Sequence, residues 1–262
     1  MLFRSDQVKN MNTSQGDGDT LISTWFDVST NILRLLTSLT HDNELAANHI
    51  IDHRAQPSWT AELLHFLHRT ITTQLNFHDI GMDKDLSEKM VHFYYDWTIF
   101  TLNIFTNLAE SSRFHEVRSV FMNTVIDGSR CALLWLTDWA VTETHAFRDQ
   151  TIESNEPATE VSPDHRLDRR EGESLVTAGN AFILLTCMMR KTSKFREDAD
   201  QARNIIFGRL PMDVRLTGQG QINFIIKTLT AFCNYYHYSI GDLSAAVIGP
   251  VKLLLSELEE MK

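Results

Sequence analysis

The residues with the best claim to chemistry are histidines in metal-like spacing. His49 and His53 stand four apart in His49-Ile50-Ile51-Asp52-His53, with Glu44 close upstream. On a helix such a pair shares one face and could hold a cation, although the His-Glu-x-x-His order of zinc hydrolases is missing. His65 and His68 are also neighbours on a helix face. The simpler reading, exposed or capping histidines, is favoured for both pairs, and a metal-dependent enzyme built on His49, His53 and Glu44 is an outside alternative. Gly218-Gln219-Gly220 lacks the Lys-Ser/Thr of a phosphate loop and reads as a turn. No Gly-x-Ser-x-Gly elbow occurs, and Cys131, Cys187 and Cys233 lie far apart within apolar helical stretches. They read as reduced, buried thiols of an intracellular protein. The expectation is a protein that is not an enzyme and carries no cofactor or metal.

The most informative pattern is a recurring helix ending. Ile32 to Leu39 is an apolar helix closing on a Leu-x-x-Leu step, followed by the polar corner Thr40-His41-Asp42-Asn43-Glu44. Degenerate copies lie at Leu102–Ser112 and Phe182–Lys191, and a weaker one at Ile225–Phe232. Helix pairs that recur in this way, each too small to bury its own apolar face, mark an α-solenoid. At the corner, Asp42 or Asn43 is expected to cap the next helix, with Glu44 complementing its N-terminal dipole. The functional alternative makes Thr40, His41, Asp42, Asn43 and Glu44 a protein-binding contact on a solenoid edge, where successive corners form a ridge.

The elements that carry these residues are predicted to be helical throughout. The 262 residues are 43% hydrophobic, with 5 prolines and 11 glycines, which suits long helices. Strand signals are poor, and the flanks of Asp127-Gly128 read as helix. The formal charge of −10 weighs against a nucleic-acid binder and suits solubility or basic protein partners. No secretory start and no membrane-spanning run are recognised.

Residues 1–18 read as a flexible tail and 19–262 as the helical domain, with an acidic, proline-marked insertion at about 149–168. The first helix runs from Leu21 to Thr40 with Leu21, Trp25, Val28, Ile32, Leu35, Leu36 and Leu39 on one stripe. Further helices are predicted at about 44–53, 59–75, 86–109, 112–126, 130–146, 169–191, 196–207, 219–238 and 243–260. Asp85 to Glu88 and Asp168 to Glu171 fit capping boxes. Phe93 to Phe105 reads as core, Ala178, Gly179 and Ala181 as a close helix approach, and Pro250 as the start or a kink of the last helix.

At the corner the residues become specific. Leu35-Leu36-Thr37-Ser38-Leu39-Thr40-His41-Asp42-Asn43-Glu44 resembles the "LLNLTHDNE" segment in the C-terminal domain of the WAPL (wings apart-like) family of cohesin-release factors. Leu102 to Ser112 is similar to the family's "LGLLINLVEYS", and Leu175 to Met189 to its "IVASYTALLLGCL". Gln221 to Asn234 is similar to the family's helix near the C-terminus. The likeness spans about residues 20 to 260, and the family's Trp-Gly-Ser after the corner is here Leu45-Ala46-Ala47. The resemblance implies an all-α, HEAT/armadillo-like repeat solenoid, in one or two lobes. It would act in the nucleus on chromatin, bind cohesin subunits of SMC, kleisin and HEAT type, and open the SMC–kleisin gate. Contact with the Pds-type regulator is not implied, because the N-terminal region through which relatives engage it is not in this chain. A generic HEAT/armadillo scaffold with unrelated partners is the alternative.

Overall fold

In a computed structural model of the chain, residues 15–51, 58–76, 84–111, 113–151, 169–191, 196–211 and 219–261 are described. They are all-α but for one short hairpin. The helices are α1 (Gln15–Thr40), α2 (Glu44–Ile51), α3 (Trp59–Asn76), α4 (Lys84–Ala109), α5 (Phe114–Asn123), α6 (Ala132–Thr151), α7 (Arg169–Met189), α8 (Arg196–Phe207), α9 (Gly220–Ile240) and α10 (Ala245–Glu260). A 3-10 turn, Gly241–Ser244, joins the last two. Residues 1–14, His53, the acidic stretch from 152 to 168 and Gly218 lie outside the described residues, as do the side chains of Asp85 and Glu88.

Helix length and packing recur every third helix. Short α2, α5 and α8 (8, 10 and 12 residues) are each followed by two longer ones. The third helix of each set packs on the third helix of the next, so α1, α4, α7 and α10 touch in series. Their side chains give the direction. Phe26 stacks on Phe93 at 5.1 Å, the Trp97 indole donates to Thr30 Oγ1 at 2.8 Å, and Asn107 Nδ2 donates to Thr40 Oγ1 at 3.0 Å. Positions rise together, so α1 and α4 run parallel. Arg169 meets His92 at one end of α7 and Arg190 approaches Glu110 at the other, so α7 is parallel to α4.

Helix α7 forms the centre, covered by α4, α6, α8, α9 and α10. By length and composition it could cross a bilayer, but 89% of its most apolar window is buried by protein, which makes it a core helix. Its glycines set the spacing to antiparallel α9. A Cβ on Gly179 would stand 2.1 Å from Cδ2 of Phe232, and one on Gly172 would stand 2.7 Å from the Tyr235 hydroxyl. The aromatic run of α4 is core: Trp97 and Phe105 are buried, and Phe93, Tyr94, Tyr95 and Phe100 pack against them.

Three expectations change. The stripe on α1 does not face the core: Leu21, Val28, Ile32, Leu35 and Leu39 are exposed, Trp25 is half-exposed with its ring edge-on to Trp97 at 5.6 Å, and only Leu36 is partly buried. The inward face carries Phe26, Thr30, Leu33 and Thr40, because Trp97 and Asn107 of α4 need hydroxyl partners there. Second, the helix expected over 112–126 ends at Asn123, and Val125–Ile126 pairs antiparallel with Arg130–Cys131. Asp127 and Gly128 close that turn with φ of +50° and +84°. Third, of the two places expected for Pro250 the helix start is excluded: α10 begins at Ala245, close to the predicted 243, and runs through the proline.

Candidate functional site

Parallel packing of α1, α4 and α7 has a direct consequence for the polar corners. Each of the first three recurring endings closes one of these helices, so the corners after Thr40, Ala109 and Met189 share one edge of the molecule. The fourth, Ile225–Phe232, falls within α9, which continues to Ile240. The edge is laced together by its own contacts. Arg113 Nη1 donates to the Asn48 carbonyl at 3.2 Å while forming a double ion pair with Glu116. Arg190 binds Glu257 of α10 through two nitrogens at 2.8 and 3.1 Å.

Within the first corner, Thr40 is buried. Its hydroxyl donates back to the Leu36 and Thr37 carbonyls and accepts from Asn107, whose amide also reaches Thr37 O at 3.1 Å. It therefore secures the corner and offers nothing to a partner, contrary to its place among the expected contact residues. Asn43 is the cap: its Oδ1 accepts from Ala46 N at 3.2 Å, satisfying a first-turn donor of α2. Asp42 sits at φ +49°, a left-handed position that Asp tolerates better than most residues. Its carboxylate lies 3.5 Å from His41 Nε2, and the two side chains are 92% and 70% exposed. Glu44 is exposed, and Leu45 beyond it is 84% exposed. His41, Asp42 and Glu44 are thus presented to solvent from a fixed backbone, and Asn43 is shared between capping and exposure.

Farther along the edge, a cleft of about 590 Å³ opens between the ends of α4, α7 and α10. Glu110, Arg190, Lys191, Arg203, Glu257 and Glu260 line it, a mixture of both charges. Lys191 is held by Asp200 at 2.6 Å. Beneath it, the buried Arg118 of α5 donates to the Arg190 carbonyl at 2.5 Å and lies over the Phe114 ring. Burial pulls the Arg118 guanidinium below its usual pKa, against the opposing charge of Asp198. Cationic donors at this edge meet the carbonyl ends of the helices, where the macrodipole is negative. Sequence reasoning missed Arg118, Arg190 and Asn107; for Arg118 and Asn107 the available signal was a lone Arg or Asn inside a helix, and for Arg190 a cation just past a helix end.

The other residues with chemical potential are not brought together. His49 is exposed on α2, and no group of three or more His, Cys, Asp or Glu among the described residues could hold a metal. His68 packs edge-on against Trp135 at 5.0 Å, and burial lowers its pKa. Burial pushes the Cys187 thiol up to about 12 and raises Cys233 as well, so neither is poised as a nucleophile. Gln219 precedes α9 without a side-chain cap. In comparison with known proteins, the chain matches no family model, no curated sequence and no solved structure.

Proposed function

We propose that this chain is a non-enzymatic helical-repeat module of HEAT/armadillo type that binds other proteins along the edge where its helix endings line up. The observation that carries this is the parallel, every-third-helix packing of α1, α4 and α7, which sets three polar corners in a row. Stacked helical units that share a core are built to present extended faces of this kind. The corner residues left exposed, His41, Asp42 and Glu44, supply direction and charge without being needed to hold the fold.

The specific partner follows from the resemblance of Leu35 to Glu44 to the WAPL family: cohesin, bound through its SMC, kleisin or HEAT-type subunits, in the nucleus. The chain would favour release from chromatin by binding the open SMC–kleisin gate better than the closed one. A ligand shifts such an equilibrium only by its differential affinity. A change from mostly closed to mostly open needs about 5.5 kcal/mol. A scaffold with other partners has the same geometry and differs only in what it captures.

The test is capture of purified cohesin subunits by the chain, wild type beside His41→Ala/Asp42→Lys. Both side chains are exposed, but Asp42 holds φ +49°, so Lys there adds about 1 kcal/mol of backbone strain, and a thermal melt of the variant confirms that it is folded. Capture by wild type and at least tenfold weaker capture by the variant is the expected result. Equal capture by both moves the contact away from the first corner. Absence of capture by the folded wild-type chain overturns the cohesin reading and leaves the scaffold with unrelated partners.

A further inference from the structure

The outer face of α1 carries Leu21, Val28, Ile32, Leu35 and Leu39, bordered by Trp25, whose ring also packs edge-on against Trp97 of α4 at 5.6 Å; each is between 47% and 58% exposed. Their spacing alternates four and three without a break, a period of 3.5 residues. That is the seam at which two helices supercoil, each side chain entering a hole on the other. The flanking positions Thr24, Ser29, Asn31 and Ser38 are uncharged, as the centre of an interface demands. Among the described helices α1 packs on α4 and α2, so its far side lies at the edge of the array.

The area is sufficient for association. With about half of each of these six residues exposed, the stripe leaves a patch of roughly 400 to 600 Å² in water, the size of the largest apolar patch on a monomer. Two such stripes face to face remove at most about 1,200 Å², the lower bound for a specific interface. The stripe is also complementary to itself. In an antiparallel pair centred on Thr30, Leu21 meets Leu39, Trp25 meets Leu35, and Val28 meets Ile32. A parallel pair would set Trp25 on its own copy and align the helix dipoles, which the antiparallel pair opposes favourably.

We infer that the chain forms a two-fold dimer through this face of α1, the partner being a second copy of itself with α1 antiparallel. In such a contact each unlike pair occurs twice, once on either side of the axis. The net charge of −10 on each copy repels at long range, so association strengthens with salt, which screens that repulsion and leaves the uncharged seam intact.

Sedimentation of the full chain over about 1 to 100 µM should give a dimer, and Ile32→Glu should give a monomer that still unfolds cooperatively, with a Tm that no longer depends on protein concentration. Orientation is read by disulfide capture under mild oxidation, with the wild-type chain as background for its native thiols. Val28→Cys mixed with Ile32→Cys should cross-link, and either alone should not. A monomer at the highest concentration overturns the inference. So does a dimer that survives Ile32→Glu, and so does Val28→Cys linking to itself as readily as to Ile32→Cys.

Discussion

Single side chains explain why the first corner is rigid enough to recognise anything. Asn107 reaches across from α4 and bonds both Thr37 O and Thr40 Oγ1, so the end of α1 is tied to its neighbour before the chain turns. Sequence marked the corner and offered Asp42 or Asn43 as its cap, but it could not reveal that Thr40 faces inward. That depends on a partner 67 positions away. A different residue gives a pH handle. Asp96 is partly buried on α4; burial, together with nearby Glu173, raises its pKa above the ordinary carboxylate range, opposed by Arg34 and His92. A carboxyl with a higher pKa folded than unfolded binds its proton more tightly in the native state. Its contribution to stability is therefore full at low pH and is lost as pH rises through the folded value. Asp96→Asn should thus be more stable than wild type at about pH 8, and the two should converge below the ordinary carboxylate range. Urea midpoints measured at both pH values check this.

At the scale of elements, the core helices were readable because their apolar residues leave little choice of face. Helix α8 occupies the predicted 196–207, and α7 falls two residues short of its predicted end. Helix α1 was misread in orientation because it has two apolar faces, and the heavier one points outward. The hydroxyl bonds to Trp97 and Asn107 and the stacking of Phe26 on Phe93 decide between them, and those demands come from another element. The hairpin at Val125–Cys131 was missed for a related reason: two-residue strands show no alternation to detect. The close approach of α7 and α9 was legible in Gly179 itself. Gly179→Ala would drive a methyl group into the Phe232 ring, which must move or force the helices apart. The expected cost is about 3 kcal/mol. Thermal melts should show it as a fall in Tm of roughly 6 to 12 °C.

For the whole molecule, stability should be graded from centre to edge. Helix α7 is covered on all sides, whereas α1 leans chiefly on α4. Native-state hydrogen exchange should show α7 amides exchanging only by global unfolding, and α1 amides by a cheaper local opening. Uniform protection of both would contradict the graded picture. The same architecture separates two edges of the protein. Helix α6 packs along α7, with Glu143 beside Ser174 in the second turn of α7, and Arg169 at the start of α7 touches His92. From His92 to Glu110, α4 climbs roughly 27 Å toward the row of corners. Thr151 and Arg169 therefore lie toward the side facing away from that row. A fluorophore, an affinity tag or a surface tether joined between those two points holds the protein by its back, with the corners turned toward whatever is in solution.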